Sequence, residues 1–427
     1  MVYSRRAYYY RNGVRQVPAQ ILHVLFGEDS ILRAVDSLRA AAASDAGAKA
    51  GADAEAGAGG GLASLQAADL LSSVLVEGEG AALFRLGCQG PDLFYHNQRT
   101  RPLSISYGTL LHRRGYGTFC AALLARTLAQ RGRAEAAATE AATLGAAVTK
   151  ITPEAAYALG FSTHAFLDRS LHPYIVCKAG WVSPTRPETE RFARCHAFFE
   201  RIIDSLMLGR LRGTAVAAWD QDSLLAAPCA DPGDLLKPMI AAALADTYER
   251  AKIDEKLAKR MENAFKDSAG FYRVTNPART SFGTRINDGY EYLSSDRGRS
   301  AVALMYPEGF TPGLDYLNLA RASWRHPCET GGADVRSVPE LYEEALVEST
   351  AFLTATASAL AISGKIPAET AAMIGDEGLS ILDGAGVPCA PVHAEPLPLD
   401  EVLDAQYALR LQWIASRGNV GAGRDFN

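Results

Sequence analysis

The sequence predicts a predominantly α-helical protein. Apolar residues recur at helical spacing in several long stretches, whereas patterns typical of β-strands are few and short. Ser337-Val338-Pro339-Glu340 has the residue order of a capping box, in which a serine and a glutamate bind the free N–H groups at the start of a helix. These observations favour an all-α fold built from many helices.

The composition is that of a folded chain with a large core. Of its 427 residues, 48% are hydrophobic and 21% are charged, and the formal net charge is −5 at pH 7. An acidic balance without clustered basic residues gives no electrostatic footprint for nucleic acid. On the basis of charge, we therefore do not expect double-stranded nucleic acid as a partner.

The first half of the chain contains most of the helical patterns. Apolar spacing predicts a helix over 19–40, and the alanine content of 134–148 favours another. Pro153 is suited to the start of a further helix, and Pro173 is expected to help end it because proline lacks the backbone N–H. The remaining predicted helices of this half span 62–75, 117–131 and 187–208.

A break rich in alanine and proline at 226–233 is the predicted boundary between two regions, 1–230 and 231–427. Alanine, glycine and aspartate dominate 40–61. Because this composition buries little apolar area, we expect a flexible insertion there. The C-terminal region has predicted helices at 235–266, 337–362 and 400–416, with a loop-rich stretch at 267–336.

The cysteines and the N-terminus suggest a location. The seven cysteines are scattered and lack a Cys-x-x-Cys pair, so we expect reduced, mostly buried thiols. Arg5 and Arg6 are not followed by the apolar segment of a signal peptide, and no apolar run approaches the about 18 residues of a membrane span. We therefore expect a cytoplasmic protein without a transmembrane helix.

Histidine and carboxylate residues recur four positions apart in the first half. His164 and Asp168 form one such pair, and His196 and Glu200 form another. In a helix, residues i and i+4 lie on one face, so each pair can hold a metal ion. His172 lies about 12 Å along the helix from His164, which suits a neighbouring ion. The pattern predicts a cluster of metal ions.

Through these residues and others, a region of the chain from about residue 20 to residue 208 resembles the zinc-dependent phospholipase C family and its relatives, the single-strand-specific zinc nucleases. The resemblance implies a multi-helical phospholipase C or zinc nuclease-like catalytic domain over 1–230, with a C-terminal helical extension. The matching features are His23, Gly90-Pro91-Asp92-Leu93-Phe94-Tyr95, Gly108-Thr109-Leu110-Leu111-His112, the helix with His164, Asp168 and His172-Pro173, and the pair His196 and Glu200.

The resemblance also implies a set of zinc ligands. Secreted members of the family complete the third zinc site with an N-terminal tryptophan, whereas this chain has no tryptophan before Trp181. We therefore expect two or three zinc ions, held by nitrogen and carboxylate ligands that suit this metal. The implied sets are Asp92, His112, His164 and Asp168 for the first zinc, His172, His196 and Glu200 for the second, and His23 with a shared Asp168 for the third.

The implied activity is hydrolysis of a phosphodiester, foremost cleavage of a glycerophospholipid to diacylglycerol and a phosphorylated head group. Zinc lowers the pKa of bound water to about 7, which supplies hydroxide at neutral pH. Asp92 is implied as the catalytic carboxylate that orients or deprotonates this water. The same residues also fit a single-strand nuclease or nucleotidase, or a binding protein that keeps the fold without activity.

The sequence excludes one other class of metal site, and four residues are not assigned to the cluster. A di-iron four-helix protein requires Glu-x-x-His pairs, which the sequence lacks. His96 is expected to be a solvated loop residue, and Asp204 a surface carboxylate. His326 and His393 are isolated and are expected to be structural or exposed.

Overall fold

The structure is a computed structural model of the chain. It describes residues 20–49, 58–97, 99–100, 103–138, 150–280, 298–328 and 332–421.

Helices dominate the described residues, which confirms the all-α prediction. Two short strands, β1 (Trp324–Arg325) and β2 (Ala333–Asp334), form an antiparallel pair in which Trp324 lies opposite Asp334. Short 3₁₀ helices span Gly90–His96, Pro187–Phe192 and Val216–Ala218, and one π-helical turn spans Asp222–Ala226. The α-helices are α1 (Ile21–Lys49), α2 (Ala58–Ser72), α3 (Glu79–Gly87), α4 (Leu103–Leu111), α5 (Tyr116–Ala138), α6 (Pro153–Ala179), α7 (Cys195–Arg212), α8 (Ala227–Ala230), α9 (Leu236–Thr247), α10 (Glu249–Lys252), α11 (Leu257–Val274), α12 (Pro277–Thr280), α13 (Gly298–Val302), α14 (Val338–Ser363), α15 (Ala368–Ala372) and α16 (Leu399–Gly421).

Helix α6 is buried along most of its length by α1, α3, α5, α7 and α14, which pack around it. Thr152 caps its start by accepting a hydrogen bond from Ala155 N at 3.2 Å, and Pro153 occupies the first turn, where no backbone N–H is needed. A Cβ atom at Gly160 would lie 2.2 Å from Phe84 O, so the backbones of α3 and α6 are in close contact here. The sequence of α6 is correspondingly apolar on most of its surface.

Several predicted helices differ from the structure. The single helix predicted over 235–266 consists of α9, α10 and the start of α11. Pro173 does not help to end α6, which continues to Ala179. Residues after it, including Tyr174 and Ile175, are buried, and their packing offsets the cost of proline inside a helix, about 3 kcal/mol. The helix predicted over 187–208 is interrupted at Arg194, whose positive φ of 75° separates a 3₁₀ turn from α7.

The segment 40–61, expected to be a flexible insertion, contains parts of two helices. α1 extends to Lys49 and α2 begins at Ala58, so the prediction of a segment without order is wrong for both of its ends. Ala42 is 7% exposed and joins the core, which supplies packing that composition alone does not reveal. Residues 50–57, and the part of the predicted helix 134–148 beyond Ala138, lie outside the described residues.

The predicted C-terminal region shares its hydrophobic core with the first half. Helix α14 packs against α1, α2 and α6, and the capping box at its start is confirmed, because Ser337 and Glu340 bind each other's backbone N–H. By length and composition α14 could also cross a membrane, although half of its most apolar window is buried. The core helix of a folded domain meets the same criteria. The domain boundary at 230 stays a prediction.

Two of the cysteines form a disulfide, contrary to the expectation of reduced thiols throughout. Cys328 and Cys389 are joined, with their Cα atoms 6.0 Å apart. The other five are free and buried, as expected. The partners are separated by 61 residues, so their pairing depends on the tertiary fold.

We expect this disulfide to be detectable by thiol counting. Protein denatured without reductant should expose five reactive thiols, and reduction should raise the count to seven, with Cys328 and Cys389 in one cross-linked peptide. Seven reactive thiols before reduction would contradict the pairing. Disulfides persist mainly in oxidising compartments. The number of reactive thiols in protein isolated from its own cells therefore also tests the predicted cytoplasmic location.

Candidate metal centre

The eight residues predicted as metal ligands lie together in one buried cluster, and none is more than 9% exposed. They come from five separate parts of the chain, which the fold brings together around α6. The ligand candidates are His23 on α1, Asp92 on the 3₁₀ helix Gly90–His96, His112 in the turn after α4, His164, Asp168 and His172 on α6, and His196 and Glu200 on α7.

Site A consists of Asp92, His112, His164 and Asp168, the set predicted for the first zinc. His112 Nε2 lies 3.0 Å from Asp92 Oδ1, and His164 Nε2 lies 3.1 Å from Asp168 Oδ2. The two histidine nitrogens also lie within 3.8 Å of the other carboxylate, at 3.6 Å for His164 and Asp92 and 3.8 Å for His112 and Asp168. One cation could therefore contact all four side chains.

Site B consists of His172, His196 and Glu200, the set predicted for the second zinc. Glu200 Oε1 lies 3.1 Å from His196 Nε2 and 3.7 Å from His172 Nε2. The i, i+4 spacing on α7 brings His196 and Glu200 onto one face, and the packing of α7 against α6 adds His172. Their ligand atoms lie within 4.8 Å of one another.

Asp168 lies between site A, site B and His23. Its Oδ2 faces site A, whereas its Oδ1 lies 3.2 Å from His23 Nε2 and 3.6 Å from His172 Nε2. The rings of His23 and His164 are stacked with centroids 4.0 Å apart. His23, Asp92 and His164 also have ligand atoms within 4.8 Å of one another. His23 and Asp168 are thus close enough for the shared third site that the resemblance implies.

The backbone orients two of the histidines in site A. His164 Nδ1 donates a hydrogen bond to Cys88 O at 3.1 Å, and His112 Nδ1 donates one to Gly108 O at 2.8 Å. Because a carbonyl oxygen only accepts, Nδ1 carries the proton in both rings. Nε2 therefore faces the cluster with a free lone pair when the ring is neutral, as metal ligation requires.

The nitrogen and oxygen atoms of the cluster could hold a metal ion and are compatible with zinc. Within the described residues, His164 Nε2, Asp92 Oδ2, Asp168 Oδ2 and Glu200 Oε2 are buried without a hydrogen-bond partner. Bonds of about 2.0–2.2 Å to a tetrahedral zinc separate its ligand atoms by about 3.3–3.6 Å, close to the spacing in site A. A cavity of about 10 Å³ beside His23, Asp168, His172 and Glu200 has room for about one water-sized sphere.

The buried charges shift the pKa values of the cluster in opposite directions. Burial lowers the pKa of His172, but Asp168 and Glu200 outweigh it and raise the value to about 9. Burial opposes ionisation of Glu200 as well, yet His196 and His172 hold its pKa at about 2. Asp168 is kept ionised in the same way, chiefly by His164 and His172. Without metal, the ionised Asp168 and Glu200 carboxylates therefore keep a proton on His172 at neutral pH.

Two residues outside the ligand set are buried, contrary to expectation. His96 is 6% exposed rather than solvated, and its ring stacks on Phe271 with centroids 4.1 Å apart. Asp204 is fully buried rather than at the surface. It accepts hydrogen bonds from the backbone N–H groups of Gln20, Ile21 and Leu22, at 2.8, 3.1 and 2.8 Å. Asp204 therefore holds the start of α1, the helix that carries His23.

His326 and His393 lie outside the cluster, as expected. His326 accepts a hydrogen bond from Cys328 N at 3.2 Å, and His393 N donates to Pro327 O at 3.1 Å. Asp204 follows Glu200 at the same helical spacing at which Glu200 follows His196. This spacing is the one feature of the sequence that relates Asp204 to the cluster. The burial of His96 had no such signal, because Phe271 lies far along the chain.

Metal binding should release protons at neutral pH. A folded pKa of about 9 leaves His172 protonated at pH 7.5, whereas zinc requires the neutral ring, so binding must expel that proton. Calorimetric titration with zinc in buffers of different ionisation enthalpy should report about one proton or more per chain at pH 7.5. The number should fall above pH 9. Zinc binding without proton release at pH 7.5 would contradict this account.

Comparisons of the chain with protein-family models, with curated proteins and with solved structures found no match. The assignment of a function therefore depends on the geometry of the cluster and on the chemistry of its residues.

Proposed function

We propose that the chain is a zinc-dependent phosphodiester hydrolase of the phospholipase C type, which releases diacylglycerol and a phosphorylated head group from a glycerophospholipid. The observation that carries the proposal is the buried cluster of five histidines and three carboxylates around Asp168. A cluster of this size exceeds the ligand number of one zinc ion and suits two or three.

The charge of the loaded cluster favours a phosphodiester. Asp92, Asp168 and Glu200 contribute three negative charges, and two or three zinc ions would contribute four to six positive ones. The remaining positive charge attracts a phosphate group and stabilises the additional charge of its transition state. When bound, zinc would supply an acidified water and Lewis acid contacts to the phosphate oxygens.

The residues of the chain itself have distinct roles in this proposal. Asp92 is the candidate for orienting or deprotonating the attacking water, and it also belongs to site A. Asp168 would help to hold the metal ions, since each of its two oxygen atoms faces a different histidine pair. His196 is the most exposed ligand candidate, at 9%, so we place the approach of the substrate on its side.

Asp168 is the residue whose replacement should affect the centre most. Asp168→Asn keeps the shape but removes the charge that offsets the repulsion between two dications. We expect the variant to lose at least one zinc and to hydrolyse a phosphocholine ester more slowly by more than about 100-fold, beyond the loss typical of residues that only support ligands. Zinc is measured by elemental analysis, and hydrolysis by release of the alcohol product.

Asp36→Asn is the matched control, because Asp36 is exposed and lies on α1 with His23. It should keep the zinc content and the rate of the wild type. An Asp168→Asn variant with full zinc and full rate would overturn the assignment of the centre. Hydrolysis of single-stranded DNA without hydrolysis of the phosphocholine ester would identify a nuclease instead. Zinc binding without hydrolysis of either would identify a binding protein.

A further inference from the structure

A C-terminal segment that supplies no ligand lies against site A. Residues 374–379 follow α15, and their two ends, Ile374 and Leu379, are fully buried. Between them, Gly375 has a φ of +74°, a conformation that favours glycine. The segment is thus fixed in the core at both ends, and its backbone polar groups face the first half of the chain.

Arg169, the residue after Asp168, binds this segment through its entire guanidinium group. Nε donates to Gly378 O at 3.2 Å, and Nη2 donates to Gly375 O at 3.2 Å and to Glu377 O at 3.1 Å. Nη1 donates to Ile374 O. Four carbonyl oxygens therefore surround one planar cation on α6. Only arginine offers donors in this fan-like arrangement.

The same segment holds the turn that carries His112. Leu379 N donates to His112 O at 2.9 Å, directly on the backbone of a site A residue. Gly115 N and Gly117 N donate to Asp376 O and Gly375 O at 3.0 and 2.8 Å.

The start of α5 is held in a similar way. The Asp376 carboxylate accepts hydrogen bonds from Thr118 N at 2.7 Å and from Thr118 Oγ1 at 2.6 Å. A Cβ atom at Gly117 would lie 2.6 Å from Gly375 O, so the two backbones fit closely.

We propose that residues 374–379 and Arg169 form a latch that positions His112 and Asp168 for the metal in site A. His112 directly follows α4 and its N donates to Gly108 O at 3.0 Å, whereas its carbonyl oxygen is bound by the latch through Leu379 N. Arg169 connects the latch to the helix of Asp168. The inference rests on the proposed metal centre and assigns a positioning role to a C-terminal segment that contributes no ligand. Site B has no direct hydrogen bond to this segment among the described residues.

The latch predicts an effect on one site only. Arg169→Lys keeps the positive charge but cannot reach four carbonyls at once. We expect it to weaken metal binding in site A by about 10- to 100-fold, the range for residues that orient ligands, and to leave site B within about twofold. Thr118→Val, which removes one bond to Asp376, should act in the same direction but less strongly.

The test is a Co²⁺ titration of the full-length chain, followed by visible absorption and calorimetry. Glu200→Gln, which removes a site B ligand, identifies the spectrum and affinity of site A. Arg33→Lys is the matched control, since Arg33 is exposed on α1, pairs with Glu343 of α14 and should affect neither site. Selective weakening and an altered spectrum of site A in Arg169→Lys would support the latch.

Three other outcomes would overturn the latch. Unchanged affinity of site A in both Arg169→Lys and Thr118→Val would show that the segment does not position the ligands. Equal weakening of both sites would show a general structural role. Absence of Co²⁺ and Zn²⁺ binding in the wild type would refute the proposed function and the latch together. If the wild type binds metal normally, a negative result with the variants refutes the latch alone.

Discussion

The buried carboxylate of Asp168 is the interaction on which the centre depends. Four imidazole nitrogens, from His23, His112, His164 and His172, lie 3.1–3.8 Å from its oxygen atoms. Neutral imidazoles do not cancel a buried negative charge, and such a charge is costly without compensation. The cluster therefore requires cations, which are protons in the metal-free protein and metal ions otherwise. Folding, protonation and metal binding are linked through this one residue.

The surrounding fold fixes the ligands from outside the cluster. Asp204 holds the first turn of α1 and so places His23, while the close contact at Gly160 ties α6 to α3. Arg169 binds the segment 374–379, which in turn binds the backbone of His112. Ligands on rigid helices with supported backbones are pre-organised, so little conformational entropy is lost when a metal binds.

The helices and ligands that the sequence predicts are those with local signals. The capping box at Ser337 and the i, i+4 pairs on α6 and α7 are examples, because spacing along one helix fixes their relative position. Tertiary packing decides the rest. It carries α6 past Pro173, and it buries His96 and Asp204 against partners distant in sequence. Cys328 and Cys389 pair across 61 residues, and the latch involves no recognisable motif, so neither was predictable.

Anomalous X-ray diffraction at the zinc absorption edge, on crystals grown with zinc, tests the central claim most directly. The account predicts two or three anomalous peaks around Asp168, one of them about 2.0–2.2 Å from His112 Nε2, His164 Nε2 and Asp168 Oδ2. A second peak should lie beside His172, His196 and Glu200. Crystals that contain zinc elsewhere but show no peak within this cluster would contradict the account.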